Sequence, residues 1–303
     1  MLVVMALGGN ALLRRSEPPE AEIQRQNVLN ACAKAIAPIA RKHRVVVTHG
    51  NGPQVGLLAL QSAAFAGVPS YPLDVLDAES EGMIGYLIEQ ALVGELPGRD
   101  VATLLTLVEV DPADPAFTTP SKPIGPIYDE REAAQVSART AWTFVKDGAG
   151  YRRAVPSPAP CRFREINVIK LLVRSGVIVV CAGGGGIPVV VTPERTLRGV
   201  EAVIDKDHSA ALLAEQIDAD ALLLLTDVSA VWTRWPMAEG QPIGRTTPGE
   251  LHRFSFAPGS MGPKVEAACR FAEQTGRFAA IGAIDEAPAI LGGNAGTLVR
   301  TNW

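Results

Sequence analysis

The stretch Arg44-Val45-Val46-Val47-Thr48-His49-Gly50-Asn51-Gly52-Pro53-Gln54-Val55-Gly56 decides the reading of the fold. A short β-branched run ends in a glycine-rich turn, and residues 54–66 then return to apolar side chains at three- and four-residue steps. Strand, turn and helix in that order form the repeating unit of a parallel sheet covered by helices. The unit recurs on both sides: Leu2–Leu7 runs into Gly8-Gly9-Asn10, and 177–181 runs into Gly183-Gly184-Gly185-Gly186. Residues 101–108 and 221–225 read as further strands, and 20–42, 79–93, 166–175, 209–217 and 264–275 as further helices. In such an α/β sheet, ligands bind outside the carboxyl ends of the strands. Glycines there let backbone N–H groups close in on an anion, and the helix that follows adds positive potential.

The 303 residues, 47% hydrophobic and 20% charged, are those of a globular chain with one large domain or two small ones. With 28 Lys+Arg against 32 Asp+Glu, the net charge of −4 supplies no field for binding a nucleic-acid backbone. The first apolar run lacks a basic flank and is far too short to span a bilayer, so a cytoplasmic protein with no membrane partner is expected. Cys32, Cys161, Cys181 and Cys269 have no metal-ligand spacing and read as small apolar residues, so no protein metal site is expected. Residues 111–160 hold eight of the 23 prolines. Because proline removes backbone donors, this segment cannot be central sheet and reads as an inserted lobe or lid.

The cations are 21 Arg and only seven Lys, and three of the lysines stand in loops framed by Gly, Pro or Asp. Lys122 lies in Ser121-Lys122-Pro123-Ile124-Gly125, Lys206 in Ile204-Asp205-Lys206-Asp207, and Lys264 after Ser260-Met261-Gly262-Pro263. Compact charges beside glycine-rich anion sites suit phosphoryl transfer, where catalysis is mostly positioning and charge neutralisation. No GxxxxGK[ST] is present, the second turn is one residue longer than the dinucleotide fingerprint, and nucleophile-elbow, HExxH and protein-kinase signatures are missing. Asp207 stands where a helix should start, as an N-cap, and is also placed to organise Lys206 and Lys264 or to help bind Mg²⁺ with nucleotide phosphates. The strand end at Thr226-Asp227-Val228 is a place for adenine and ribose, and His49 and His208 read as supporting residues.

On these motifs, with Tyr151-Arg152-Arg153-Ala154-Val155-Pro156 and Pro72-Leu73-Asp74-Val75, the chain resembles the carbamate kinases of the amino-acid kinase superfamily over residues 2–299. The resemblance implies a three-layer αβα sandwich around a mainly parallel sheet, forming one domain over 1–303. Its acceptor-binding part is about 1–175, its nucleotide-binding part about 176–303, and 111–160 form a protruding subdomain. It implies a homodimer that transfers phosphoryl reversibly between ATP and carbamate, giving ADP and carbamoyl phosphate, with Mg²⁺, and used to make ATP. By resemblance Gly8, Gly9 and Asn10 meet the transferred phosphoryl group, Gly50, Asn51 and Gly52 frame carbamate, and Gly183 and Gly184 line the same site. Lys122, Lys206, Asp207 and Lys264 form the catalytic set, and Thr226, Asp227, Val228, Met261, Gly262 and Lys264 face the nucleotide. Superfamily members with larger acceptors carry a lysine before the first glycine pair; here that region reads Val4-Met5-Ala6-Leu7, and Lys122 supplies the charge instead. Two features depart from the family pattern: the acidic run Leu76-Asp77-Ala78-Glu79-Ser80-Glu81, expected to bear on dimer contacts or substrate affinity, and His208 in place of an apolar residue. The alternatives are an enzyme of the same fold acting on another small carboxylate or phosphate, and a silent nucleotide sensor.

Overall fold

A computed structural model of the chain describes residues 1–13, 17–18, 20–65, 67–140, 142–233, 240–257 and 259–303, with the backbone alone at 10 and 11. Its strands are β1 (Leu2–Leu7), β2 (Arg44–His49), β3 (Val101–Thr103), β4 (Leu107–Val110), β5 (Lys122–Tyr128), β6 (Thr143–Asp147), β7 (Gly150–Val155), β8 (Pro160–Phe163), β9 (Ile178–Val180), β10 (Ile187–Val191), β11 (Leu197–Gly199), β12 (Ala221–Thr226), β13 (Val231–Trp232), β14 (Pro242–Ile243), β15 (Arg245–Thr246), β16 (Phe278–Ala283) and β17 (Thr297–Val299). The helices are α1 (Gly9–Leu12), α2 (Ala21–Ala31), α3 (Ala37–Ala40), α4 (Gly52–Ala64), α5 (Leu73–Glu95), α6 (Glu130–Thr140), α7 (Ile166–Arg174), α8 (Lys206–Gln216), α9 (Pro248–Leu251), α10 (Met261–Thr275) and α11 (Ala287–Leu291). The helix expected over 20–42 is α2 and α3 joined by a π turn at Cys32–Ile36, and residue 66, the expected end of α4, lies outside the described residues.

Eight strands form the central sheet in the order β15-β17-β16-β12-β1-β2-β9-β3, parallel except where β17 meets β16. Every residue of β1 is buried, because both faces of the sheet are covered. The two-residue period of the strand separates the two cores. Leu2, Val4 and Ala6, with Val46, Leu222 and Leu224, pack under α7, α8 and α10 through Ile169, Leu213 and Phe271. Val3, Met5 and Leu7, with Val47, Leu223 and Leu225, pack under α2, α5 and α11 through Val28, Ile88 and Ile290. Each Val, Leu, Ile, Met or Phe among them contributes about 1.5–3 kcal/mol when fully buried, so the αβα layering follows from the composition of the strands.

The run 101–108 is not one strand. It divides into β3 at the edge of the central sheet and β4 in a second sheet, ordered β11-β10-β4-β8. The break falls at Thr106, whose N–H is taken by the Glu81 carboxylate at 3.1 Å in place of a strand partner. The proline-rich segment stays out of the central sheet, as expected, and builds an antiparallel sheet of its own, β5-β7-β6, which α6 contacts. This lobe sits directly on α4. Gly125 in β5 has φ +73°, and a Cβ built on Gly56 of α4 would lie 1.9 Å from the Gly125 Cα, so two glycines meet where no side chain fits. No helix among the described residues is long and apolar enough to cross a membrane.

Candidate active site

Four neighbouring parallel strands, β12, β1, β2 and β9, end on one edge of the sheet, and the predicted turns follow from them. Each of the first two turns is bonded to the end of the neighbouring strand: Gly8 N–H donates to Leu225 O of β12 at 2.8 Å, and Gly50 N–H to Leu7 O of β1 at 3.0 Å. A Cβ on Gly50 would stand 3.0 Å from both Gly9 N and the Lys206 side chain, which brings the first two turns and one lysine to a single point. A Cβ on Gly184, at φ +69°, would strike the Asn51 amide at 2.2 Å. The third turn therefore closes against the second.

The acidic run at 77–81 underlies these turns. Leu73, Leu76, Asp77, Ser80, Glu81, Ile84 and Ile88 share the buried stripe of α5, and the polar members fall beneath the site. Asn51 donates both amide hydrogens, to Asp77 Oδ1 at 2.9 Å and to Ser80 Oγ at 2.8 Å. Glu81 accepts from Gly183 N–H at 2.8 Å and from Thr106 N–H at 3.1 Å. Burial pushes the Asp77 carboxyl well above its ordinary range, and pushes Glu81 up to about 8 against the hydrogen bonds it accepts. The run is thus a floor for the glycine turns, a role that local sequence reading did not find.

Above the floor stand the charges. Lys264, on the first turn of α10, donates to Asp207 Oδ2 at 2.9 Å, while Lys206 takes Asp207 Oδ1. Lys122, the first residue of β5, donates to Asp205 Oδ2 at 2.9 Å. Burial opposes ionisation of Asp207, but Lys206 and Lys264 outweigh it and hold the carboxyl below its usual range. Asp205 is held down likewise, chiefly by Lys122 against its burial. Burial lowers Lys206 to about 8 despite Asp207, whereas Lys264 is raised because Asp207 outweighs its burial. Among the described residues, three ammonium groups on two carboxylates give this cluster an excess of one positive charge, at the edge where the glycine turns present their backbone.

Asp207 is not the N-cap expected from the sequence. The cap is Asp205, whose Oδ1 accepts from Asp207 N–H at 2.9 Å and His208 N–H at 3.4 Å. An Asp two residues before Asp207 was visible in the sequence, but nothing local decides which of two aspartates starts a helix. Thr226 adjoins Gly8, its Cα 3.7 Å from a Cβ built there, and its hydroxyl donates to the exposed Asp227 at 3.0 Å. Met261 and Gly262 open α10 and so set the level of Lys264, while Val228 follows the end of β12. The Asn10 side chain lies outside the described residues. His49 is buried and lowered to about 4 by desolvation, hence neutral, and its ring packs on Gly183. His208 faces Glu266 at 3.2 Å. Both histidines support rather than line the site.

The sequence profile of the amino acid kinase family matches residues 1–282. The carbamate kinase of Rhizobium meliloti (strain 1021) is 55% identical over 306 residues, spanning 100% of this chain and 94% of that protein. The carbamate kinase of Haemophilus influenzae is 53% identical over 300 residues, spanning 99% and 96%. The solved carbamate kinase from Giardia lamblia bound to AMP-PNP superposes with TM-score 0.89 at 40% identity, covering 99% of this chain and 98% of that one. With the same fold, and identity of this order along its whole length, the chain belongs to the amino acid kinase family and, within it, to the carbamate kinases.

Proposed function

We propose that this chain transfers a phosphoryl group reversibly between ATP and carbamate, and that it runs toward ATP from carbamoyl phosphate and ADP. The observation that carries the reading is the set of three lysines on the buried Asp207 and the half-buried Asp205 beside the glycine turns. In a loose phosphoryl-transfer transition state, charge spreads over the transferred oxygens, and groups held in place to neutralise it supply most of the catalysis. Gly8 and Gly9, with Asn10, would present backbone N–H groups to the phosphoryl, and Gly50, Asn51 and Gly52 would frame carbamate. Lys206 and Lys264, fixed by Asp207, would neutralise the transferred group from the nucleotide side, and Lys122 would reach it from the lobe. Thr226, Asp227 and Val228, with Met261 and Gly262, would border the nucleotide. Residues from about 1–175, including the lobe of 111–160, would then carry the acceptor, and those from about 176–303 the nucleotide.

Mg²⁺ fits this site as a companion of the nucleotide. Asp207 gives both oxygens to lysines, and among the described residues no group of three His, Cys, Asp or Glu is placed to hold a metal. The ion would shield the nucleotide phosphates; every positioning role above belongs to the chain's own residues. A homodimer is supported by the outer face of α5, where Val75, Met83, Tyr86 and Val93 are exposed. A cytoplasmic setting suits a reaction that uses ATP and ADP. The test is ATP formation from ADP and carbamoyl phosphate with Mg²⁺ in a coupled assay. Absence of turnover in either direction refutes the proposal.

A further inference from the structure

Asp205 divides its two oxygens between two elements of the fold. Oδ1 caps α8, accepting from the N–H groups of Asp207 and His208, while Oδ2 holds Lys122 at 2.9 Å. The two side chains of that ion pair come from positions 83 apart, one in the lobe and one in the turn that carries Lys206 and Asp207. The base of the lobe does not depend on this pair for its place. Val203 N–H donates to Pro156 O at 2.9 Å, next to β7, and the Gly56–Gly125 contact seats β5 on α4. What the backbone leaves free is the Lys122 side chain, four rotatable bonds long and about a fifth exposed.

We propose that Asp205 is a positioning residue: through its second oxygen it aims the Lys122 ammonium at the same turn that holds Lys206 and Asp207. It thereby joins the lobe lysine to the helix that bears the rest of the charge set. The proposal rests on the functional reading above and gives the second of its two aspartates a role that reading left unassigned. Asp205 touches no reacting atom. It spares Lys122 the search among rotamers, and an incoming phosphoryl group then shares an ammonium already in place.

The experiment is a double-mutant cycle on the full-length protein, with Asp205→Asn, Lys122→Ala and their combination, read by kcat, KM and thermal melting. Asparagine is as good an N-cap as aspartate, so the helix start survives and only the charge is lost. Asp205→Asn is expected to lower kcat about tenfold or more, with nucleotide KM within about twofold and melting nearly unchanged; in the Lys122→Ala background it should change kcat by less than about twofold. Asp205→Glu, which restores the charge, should recover part of the rate that Asp205→Asn loses. Wild-type kcat in Asp205→Asn, an equal loss in the Lys122→Ala background, no recovery in Asp205→Glu, or a large fall in melting temperature each overturns the proposal, the last by making the cap its whole role. If Lys122→Ala alone keeps the wild-type rate, the functional reading of Lys122 fails, and that result is read without any Asp205 variant.

Discussion

Replacing Gly56 with alanine should damage catalysis from a distance. The new Cβ would lie 1.9 Å from the Gly125 Cα, 2.3 Å from its N and 3.3 Å from the Ile124 carbonyl carbon. Carbon atoms rest at about 3.5–4.0 Å, so α4 and β5 must separate by roughly 1.5–2 Å, and both partners are backbone that cannot rotate aside. Overpacking of this kind costs about 1–3 kcal/mol of stability. The larger effect falls on Lys122, which starts the displaced strand three residues before Gly125 and must reach the Asp205 turn. A shift of about 1 Å in a positioning group costs on the order of 10² in rate, so kcat should fall about a hundredfold while the protein remains folded. The assay is carbamoyl-phosphate-dependent ATP formation beside a denaturant melt. Gly94→Ala is the control: its Cβ meets nothing within 4 Å, on a helix where alanine is favoured, and rate and fold should be kept. Wild-type kcat in Gly56→Ala would mean that this contact does not set the lobe.

Three more outcomes are expected. Because burial lowers Lys206 to about 8, kcat/KM should fall as pH rises through that value and the ammonium is lost, and Lys206→Arg should move this limb to higher pH; a limb that stays in place counts against Lys206. Glu81 is raised from 4.5 to about 8, so the native state binds a proton that the unfolded chain has released, and stability from this group is full below about 4.5 and lost as pH rises toward 8. Urea melts across that range should therefore show a steeper loss in wild type than in Glu81→Gln, and parallel lines would contradict the assignment. Asp207→Asn leaves Lys206 and Lys264 without their shared carboxylate, which should lower stability by about 3–5 kcal/mol, reduce turnover to background and make added sulfate or nucleotide stabilising.

The αβα layering was legible because it rests on local chemistry. The inner strands of the central sheet are buried on both faces, and strands such as 44–49 followed by Gly50-Asn51-Gly52 announce both the parallel sheet and the edge at which such sheets take their ligands. The proline density of 111–160 likewise showed that this segment is separate from the sheet, though not that Gly125 would seat it on Gly56. The run 101–108 looked like one strand, since its change of sheet depends on Glu81, a residue of α5 that no local pattern connects to Thr106. The acidic stretch at 77–81 stood out as a departure; the apolar stripe of Leu73, Leu76, Ile84 and Ile88 placed Asp77 and Glu81 on the inward face, but not under which turns they would lie.

The fold class, the glycine turns and the three lysines could be read from the chain because backbone freedom, apolar periodicity and the frame around a cation are properties of contiguous residues. Asp207 was already a candidate organiser of Lys206 and Lys264, but the pairing of Lys122 with Asp205 emerged only with the packed fold. Lys264 meets Asp207 across 57 positions and Lys122 meets Asp205 across 83, pairings made by the packing of α10 on α8 and of the lobe on α4. Electrostatic partners follow distance in space, and at such separations along the chain the packed core alone fixes that distance.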